Sequence, residues 1–522
     1  MALGASGRRW AVATPHRAAT EAAAEAFERG GNAIDASIGA ATTLAVVCPH
    51  LCGVGGDLFA LLQHPQGDVL AIASAGAAPA GIDADDARRT YETMPERGPL
   101  TVVVPGAVAG WVALHARGAQ LPWADAFESA IRYAADGVRV GPGLGHQLSR
   151  HAGFLADDPG FAAAFFPHGV ALSPADLLVQ PSLARSLEAI AAGGADAFYR
   201  GPVGAALAEG LRACGSPLTQ ADLAVHSAEF LPPITARFLD LDVRSAPPPS
   251  QGFVMLEAML AIERLGLDPD PLGPDAGQLA IAFAAAASDR DRYLADPAFM
   301  RVHPQELLAD GHIEAVCGRI RAGLGGPIAP LPVDGDTAGL VAVDSRGFAV
   351  SLIQSLAGAF GSGILEPETG VIAQNRGSGF TLEPDHPNSI GPRKRPAHTL
   401  MPVVAHREGR LAALCGTRGG AAHPQLNTWS LVRTFQAGMA PAEAVDAPRW
   451  IIGGIEGIAG VADAESGVPQ AVLDQIERAG FQLRRLGAVD PAVGHANLIR
   501  ISGDGLFEAG ADPRAEGAAM AM

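Results

Sequence analysis

Lysine is all but missing from this 522-residue chain, where Lys394 stands alone among 37 lysines and arginines. Acidic residues number 55, so the formal charge is −18 and the isoelectric point lies near 5.2. A nucleic-acid partner is therefore not expected, because a phosphate-tracking surface needs clustered cations. Aromatics are scarce at 5% and charged residues at 18%, while 48% of the chain is hydrophobic and mean hydropathy is +0.19. That balance excludes a disordered or fibrous protein. The 64 glycines and 40 prolines follow no collagen period and mark many tight turns instead. A large, compact enzyme is expected.

Cysteine is equally sparse. Cys48, Cys52, Cys214, Cys317 and Cys415 are odd in number and form no C-x-x-C pair, which fits a reducing compartment. Cys48-Pro-His-Leu-Cys52 crowds three candidate ligands, but no second cluster lies at zinc-finger spacing. Buried thiols and no bound metal are the expectation there. Residues 1–20 carry three arginines and no apolar core, so no secretory signal is visible. The uncharged run Ala36–Gly56 is interrupted by Pro49 and His50, which suits a buried helix entering a loop rather than a membrane span. Cytoplasmic location and no membrane partner follow as expectations.

The N-terminal third opens with helical periodicity over 18–29, stopped by Gly30-Gly31, and a second helix capped by Asn32 and ended by Pro49. A glycine-rich turn (Gly53, Gly55, Gly56) then leads into a strand reaching Leu62, with a partner over 69–73. Helices dominate 101–294, with strand character at 234–243 and a rigid loop at Pro247–Gly252. A Pro- and Gly-rich loop spans 327–335, and the strands at 340–343 and 348–353 read as a hairpin. Later strand candidates are 403–405, 411–414, 482–486 and 496–501, with a helix around 426–436. Helices followed by hairpins predict a layered α/β or α+β sandwich without Rossmann alternation.

No G-x-S-x-G elbow, H-E-x-x-H helix or Walker A loop occurs. Asp336-Thr337-Ala-Gly339 places a threonine near a strand start, directly after the Pro/Gly loop. Such a residue becomes a nucleophile if the chain is cut before it. The new α-amine, with a pKa near ~8, could then act as base for its own hydroxyl.

Nine stretches in order resemble the γ-glutamyltranspeptidase family of N-terminal-nucleophile hydrolases. They begin with Gly30–Ala36, Gly53–Asp57, Val104–Gly110, Ala246–Ser250 and Asp289–Tyr293 with Asp296-Pro297. Asp336-Thr337, Phe360–Gly363, Gly416–Gly420 and Ala447–Arg449 complete the series. The resemblance implies an α+β fold, a four-layer αββα sandwich, made as a precursor and cut into residues 1–336 and 337–522. These two fragments would form one core as a heterodimer, with a dimer of such heterodimers left open. Thr337 matches the family's nucleophile and Ser355 the hydroxyl that assists it. Gly419 and Gly420 match the oxyanion-hole pair, a role glycines suit because no Cβ obstructs their amides. A plain tight turn after the strand at 411–414 is the alternative for that pair. No cofactor is implied.

Glutamyl recognition departs from the family pattern. Ala75 takes the place of the arginine that grips the α-carboxylate, and Arg376 and Gly379 replace the pair that holds the α-amine. The family's paired serines correspond to His398 and Thr399, and its asparagine beyond the assisting hydroxyl to Ala357. These forms look like the oxamate amidohydrolase branch, with glutaryl-cephalosporin acylases as further relatives. Arg376, Asn375, His398 and Thr399 are the candidate substrate-binding residues, with Arg393 or Arg395 as further donors. The expected substrate is a small amide whose acyl part bears a carboxylate. A genuine γ-glutamyltransferase or glutathione hydrolase, and an unprocessed binding homologue, remain alternatives. A structural salt bridge from Arg376 to Glu366, Glu368 or Asp385 is the competing account of that arginine.

Overall fold

The computed structural model describes residues 3–325, 335–455 and 457–522. Most of the Pro/Gly loop at 327–335 thus lies outside the described residues.

Two seven-stranded antiparallel sheets form the centre of the molecule. The first runs, edge to edge, through Gly4–Gly7, Phe507–Ala511, His495–Ile501, Arg410–Arg418, Val403–Arg407, Leu241–Ser245 and Ile234–Phe238. The second runs through Ala518–Ala521, Trp10–Thr14, Asp336–Asp344, Ala349–Ala357, Asp57–Gln63, Val69–Ser74 and Glu229–Leu231. Alternation along Asp336–Asp344 shows why the layers stack. Val341 and Val343 pack with Val404, Leu414 and Ile499 between the sheets, whereas Ala338, Leu340 and Ala342 face a helical layer. Helices Arg17–Glu28 and Ala33–Val47 cover the second sheet, and Gly252–Leu265, Ala276–Tyr293 and His423–Phe435 cover the first. The result is a four-layer αββα sandwich.

Local chemistry places these elements. Helix Ala33–Val47 starts at a capping box in which Asn32 accepts from the amides of Ile34 and Asp35. The Asp35 carboxylate in turn accepts from Asn32 N at 2.8 Å. The helix is buried along its whole length, so its apolar residues show no one-sided stripe. Between the sheets the backbones approach closely at Gly339, where a Cβ would stand 2.6 Å from Thr417 N. That contact sets the strand Asp336–Asp344 against the strand ending at Arg418. Among the described residues no helix is long and apolar enough to cross a membrane.

Candidate active site

Thr337 lies near the start of the central strand Asp336–Asp344, 1% exposed, and its Oγ1 has no hydrogen-bond partner among the described residues. The pairing with Ala349–Ala357 slips here: Asp336 faces Ala357 and Ala338 faces Gln354, leaving Ser355 and Leu356 as the bulged segment opposite Thr337. Bulges re-aim side chains, and this one turns Ser355 toward the peptide bond before Thr337. Ser355 Oγ donates to the Asp336 carbonyl at 2.5 Å and accepts from Ala357 N at 2.8 Å. Ala357 itself has φ of +81°, a conformation that a residue with a Cβ rarely adopts.

Gly419 and Gly420 follow the strand Arg410–Arg418 and precede helix His423–Phe435. Gly420 has φ of +50°, and a Cβ there would stand 2.4 Å from the Ile455 carbonyl, so only glycine fits. Its carbonyl accepts from Gln251 Nε2 at 2.8 Å, and the same amide donates to the Thr399 carbonyl at 2.9 Å. Gly335 lies directly on Gly420: a Cβ on Gly335 would stand 2.3 Å from Gly420 Cα. Gly335 thus covers Gly420.

Arg376, Ser378, Gly379, His398 and Thr399 line a cleft of about 1190 Å³. Arg376 is 5% exposed, with Nη1 donating to Thr399 Oγ1 and Nη2 to Ser355 Oγ, each at 3.4 Å. Among the described residues its Nε has no partner and no carboxylate forms an ion pair with it. The competing salt bridge to Glu366, Glu368 or Asp385 is therefore not formed, since Glu366 instead accepts from Thr369 N and Oγ1. Burial pushes the Arg376 pKa down to about 10, with Asp57 opposing, so the guanidinium stays charged at neutral pH.

His398 is fully buried. Its Nε2 lies 3.1 Å from Asp57 Oδ2, and Leu400 N donates to Nδ1 at 3.3 Å, which puts the hydrogen on Nε2. Burial and then the Arg376 charge push its pKa down to about 4, against the pull of Asp57, so the ring is neutral. Asp57 also accepts from Gly76 N, Gly106 N and Gln374 Nε2.

Two candidates fall elsewhere. Asn375 spends both side-chain atoms on the backbone, accepting from Gly358 N at 2.8 Å and donating to Glu96 O at 2.7 Å. It shapes the loop and leaves the facing position to Arg376. Arg395 is likewise committed, to Asp296 and Glu229. Asp57, Gln251 and Arg418 were missed as site residues, although each lies in or beside a recognised stretch. Their signal was a charged or amide side chain in a glycine- or proline-rich segment.

Two interlocked antiparallel sheets flanked by helices, with a threonine on a central strand, define the architecture of N-terminal-nucleophile hydrolases. A family model described as gamma-glutamyltranspeptidase matches residues 19–522, and the chain belongs to that family. It is 34% identical over 512 residues to the oxamate amidohydrolase proenzyme of Klebsiella pneumoniae, covering 97% of each chain. It is 33% identical to the glutathione hydrolase-like YwrD proenzyme of Bacillus subtilis, covering 99% of each. Among solved structures, a cephalosporin acylase from Bacillus halodurans superposes with a TM-score of 0.91 at 30% identity, covering 99% of this chain and 97% of that one. The family comprises hydrolases and transferases, and the chain is an enzyme of that kind.

Proposed function

We propose that the chain is a proenzyme that cuts itself between Asp336 and Thr337, and that the freed threonine hydrolyses small amides with a carboxylate-bearing acyl part. Residues 1–336 and 337–522 would stay together, because the second sheet interleaves Asp336–Asp344 and Ala349–Ala357 with Trp10–Thr14 and Asp57–Gln63. Before the cut the Thr337 nitrogen is an amide with no basic lone pair. Afterwards it is an amine with a pKa near ~8, able to take the hydroxyl proton at neutral pH.

The cycle then balances simply. Thr337 Oγ1 attacks the substrate carbonyl carbon while the α-amine takes its proton. The Gly419 and Gly420 amides receive the oxyanion, once Gly335 has moved off Gly420. The α-ammonium returns the proton to the departing amine, and water releases the acid from the acyl-enzyme.

Arg376 carries the substrate reading. It is a buried cation that pairs with no carboxylate among the described residues, in the wall of the cleft and within reach of Ser355 Oγ. A substrate carboxylate can make a charge-assisted, two-pronged pair with it, whereas an α-ammonium would be repelled. The test is turnover of acidic monoamides, such as oxamate and glutaryl amides, beside γ-glutamyl anilides. Preference for the acids supports the proposal. Efficient γ-glutamyl turnover that Arg376→Gln leaves unchanged would assign a glutathione hydrolase instead.

A further inference from the structure

The stretch Gly416–Gly420 holds a charged residue that the proposed hydrolysis does not use. Arg418 ends its strand one position before the glycine pair and is 6% exposed. Its Nε donates to Asp336 Oδ1 at 2.9 Å, its Nη2 donates to the same oxygen, and its Nη1 donates to the Pro491 carbonyl at 3.2 Å. Asp336 is 1% exposed. Among the described residues Asp336 is the carboxylate paired with Arg418. Nearby His50 and His495 offer no competing charge: burial first, and the Arg418 charge second, hold both neutral, with pKa values of about 3.

We propose that Arg418 is a positioning residue for self-cleavage, holding Asp336 by its side chain so that its carbonyl is presented to Thr337. The inference rests on the self-cleavage reading above. Two anchors act on the residue that supplies the carbonyl. Ser355, on the second sheet, holds the oxygen, and Arg418, on the first sheet, holds the side chain. With both ends fixed from opposite layers, the carbonyl plane has little freedom to rotate. A buried pair of this kind resists exchange, because separating it leaves a lone charge out of water. In the reaction, Thr337 Oγ1 bonds to the Asp336 carbonyl carbon, the C–N bond breaks, and the hydroxyl proton passes to the Thr337 nitrogen. Water then adds to the ester, leaving a carboxyl on Asp336 and restoring the threonine hydroxyl.

The test follows conversion of the full chain into fragments over time, with the N-terminus of the smaller fragment sequenced. Asp336→Asn and Arg418→Ala should each slow cutting by about 10-fold or more, since misplacement by about 1 Å costs as much as ~10²-fold. Guanidinium ion added to Arg418→Ala should restore cutting, and Arg418→Lys should keep part of it, neither of which a purely structural loss would allow. Melting of each variant in a Thr337→Ala background measures folding separately from cutting. Wild-type cutting rates in both variants would overturn the proposal. So would slow cutting in Arg418→Ala that tracks a lowered melting temperature and ignores guanidinium. A wild-type chain giving no fragment that begins at Thr337 would overturn the self-cleavage reading itself, and this inference with it.

Discussion

Asp57 stands opposite Ser355 in the antiparallel register, and its carboxylate holds the Nε2 hydrogen of His398 at 3.1 Å. One buried acid therefore ties the strand pair that carries Ser355 to the loop that borders the cleft. Asp57→Asn keeps the shape but turns an amide N–H toward groups that all donate. Leu400 N occupies His398 Nδ1, so the ring cannot relieve the clash by switching tautomer. The variant should lose about 1–3 kcal/mol of stability, read as a lowered melting temperature in an uncut background.

Thr337→Ala removes the proposed nucleophile for both reactions. The wild-type chain should give fragments of roughly 34 and 19 kDa, in proportion to length, on denaturing gels. The variant should run as one full-length band with no amidase activity. A processed and active Thr337→Ala protein would exclude Thr337 as the nucleophile.

The glycine pair separates folding from catalysis position by position. A Cβ on Gly420 meets the Ile455 carbonyl at 2.4 Å in a left-handed conformation, so Gly420→Ala should mainly destabilise, by about 1–3 kcal/mol. A Cβ on Gly419 meets the tip of Leu426 at 2.6 Å, which can shift, and the His423 nitrogen at 3.1 Å, which asks the backbone for only a few tenths of an ångström. Gly419→Ala should therefore fold while its displaced amide lowers kcat by up to ~10²-fold, with KM changed less. Wild-type kcat in a processed Gly419→Ala enzyme would remove this glycine from the oxyanion hole.

Away from the site, His312 joins three helices: its Nε2 lies 3.0 Å from Asp289 and 3.5 Å from Glu257, with Arg319 on the same carboxylates. Hydrogen bonding to Asp289 and Glu257 raises the His312 pKa to about 9, and burial raises that of Glu257 to about 8. Both groups bind protons more tightly when folded. Their contribution is complete below the unfolded values and fades as pH rises toward 9. On the order of 1–2 kcal/mol should be lost between about pH 6.5 and 9, after solvent screening at the half-buried histidine. His312→Gln should flatten that part of the melting profile, and an unchanged slope would exclude His312 as its source.

Much of this architecture was legible in the residues. The Asn32 cap and Pro49 stop place helix Ala33–Val47 as read, and 482–486 is a strand as expected. The strand carrying Thr337 begins at Asp336 rather than 340, because its first residues pair across a bulge that alternation cannot reveal. The strands Gly4–Gly7, Trp10–Thr14, Phe507–Ala511 and Ala518–Ala521 went unread: short, alanine- and glycine-rich segments become strands only through partners at the other end of the chain. The pairing of Asp336 with Arg418 was hidden for the same reason, as 82 residues separate two charges that meet only when the sheets stack. Asn375 was overread, since its neighbourhood in sequence could not show that the backbone consumes both its side-chain atoms.

Arg376 decides between substrate classes. Its guanidinium is buried, keeps its charge, and among the described residues makes only long contacts of 3.4 Å to two hydroxyls. A buried cation so weakly satisfied favours an arriving anion, and a carboxylate that displaces water from it would gain a charge-assisted pair. Arg376→Gln keeps a neutral donor on a shorter side chain and removes the charge. For acidic acyl amides it should raise KM by about 10-fold or more, the scale of one lost charged hydrogen bond, while kcat changes less. Neutral acyl amides should gain relative to acidic ones, because the repelled or unpaired charge is gone. Cutting at Thr337 should continue, since the carbonyl of Asp336 is held by Ser355 and not by Arg376. If KM for acidic and neutral amides moved together, Arg376 would be shaping the cleft wall rather than reading a carboxylate.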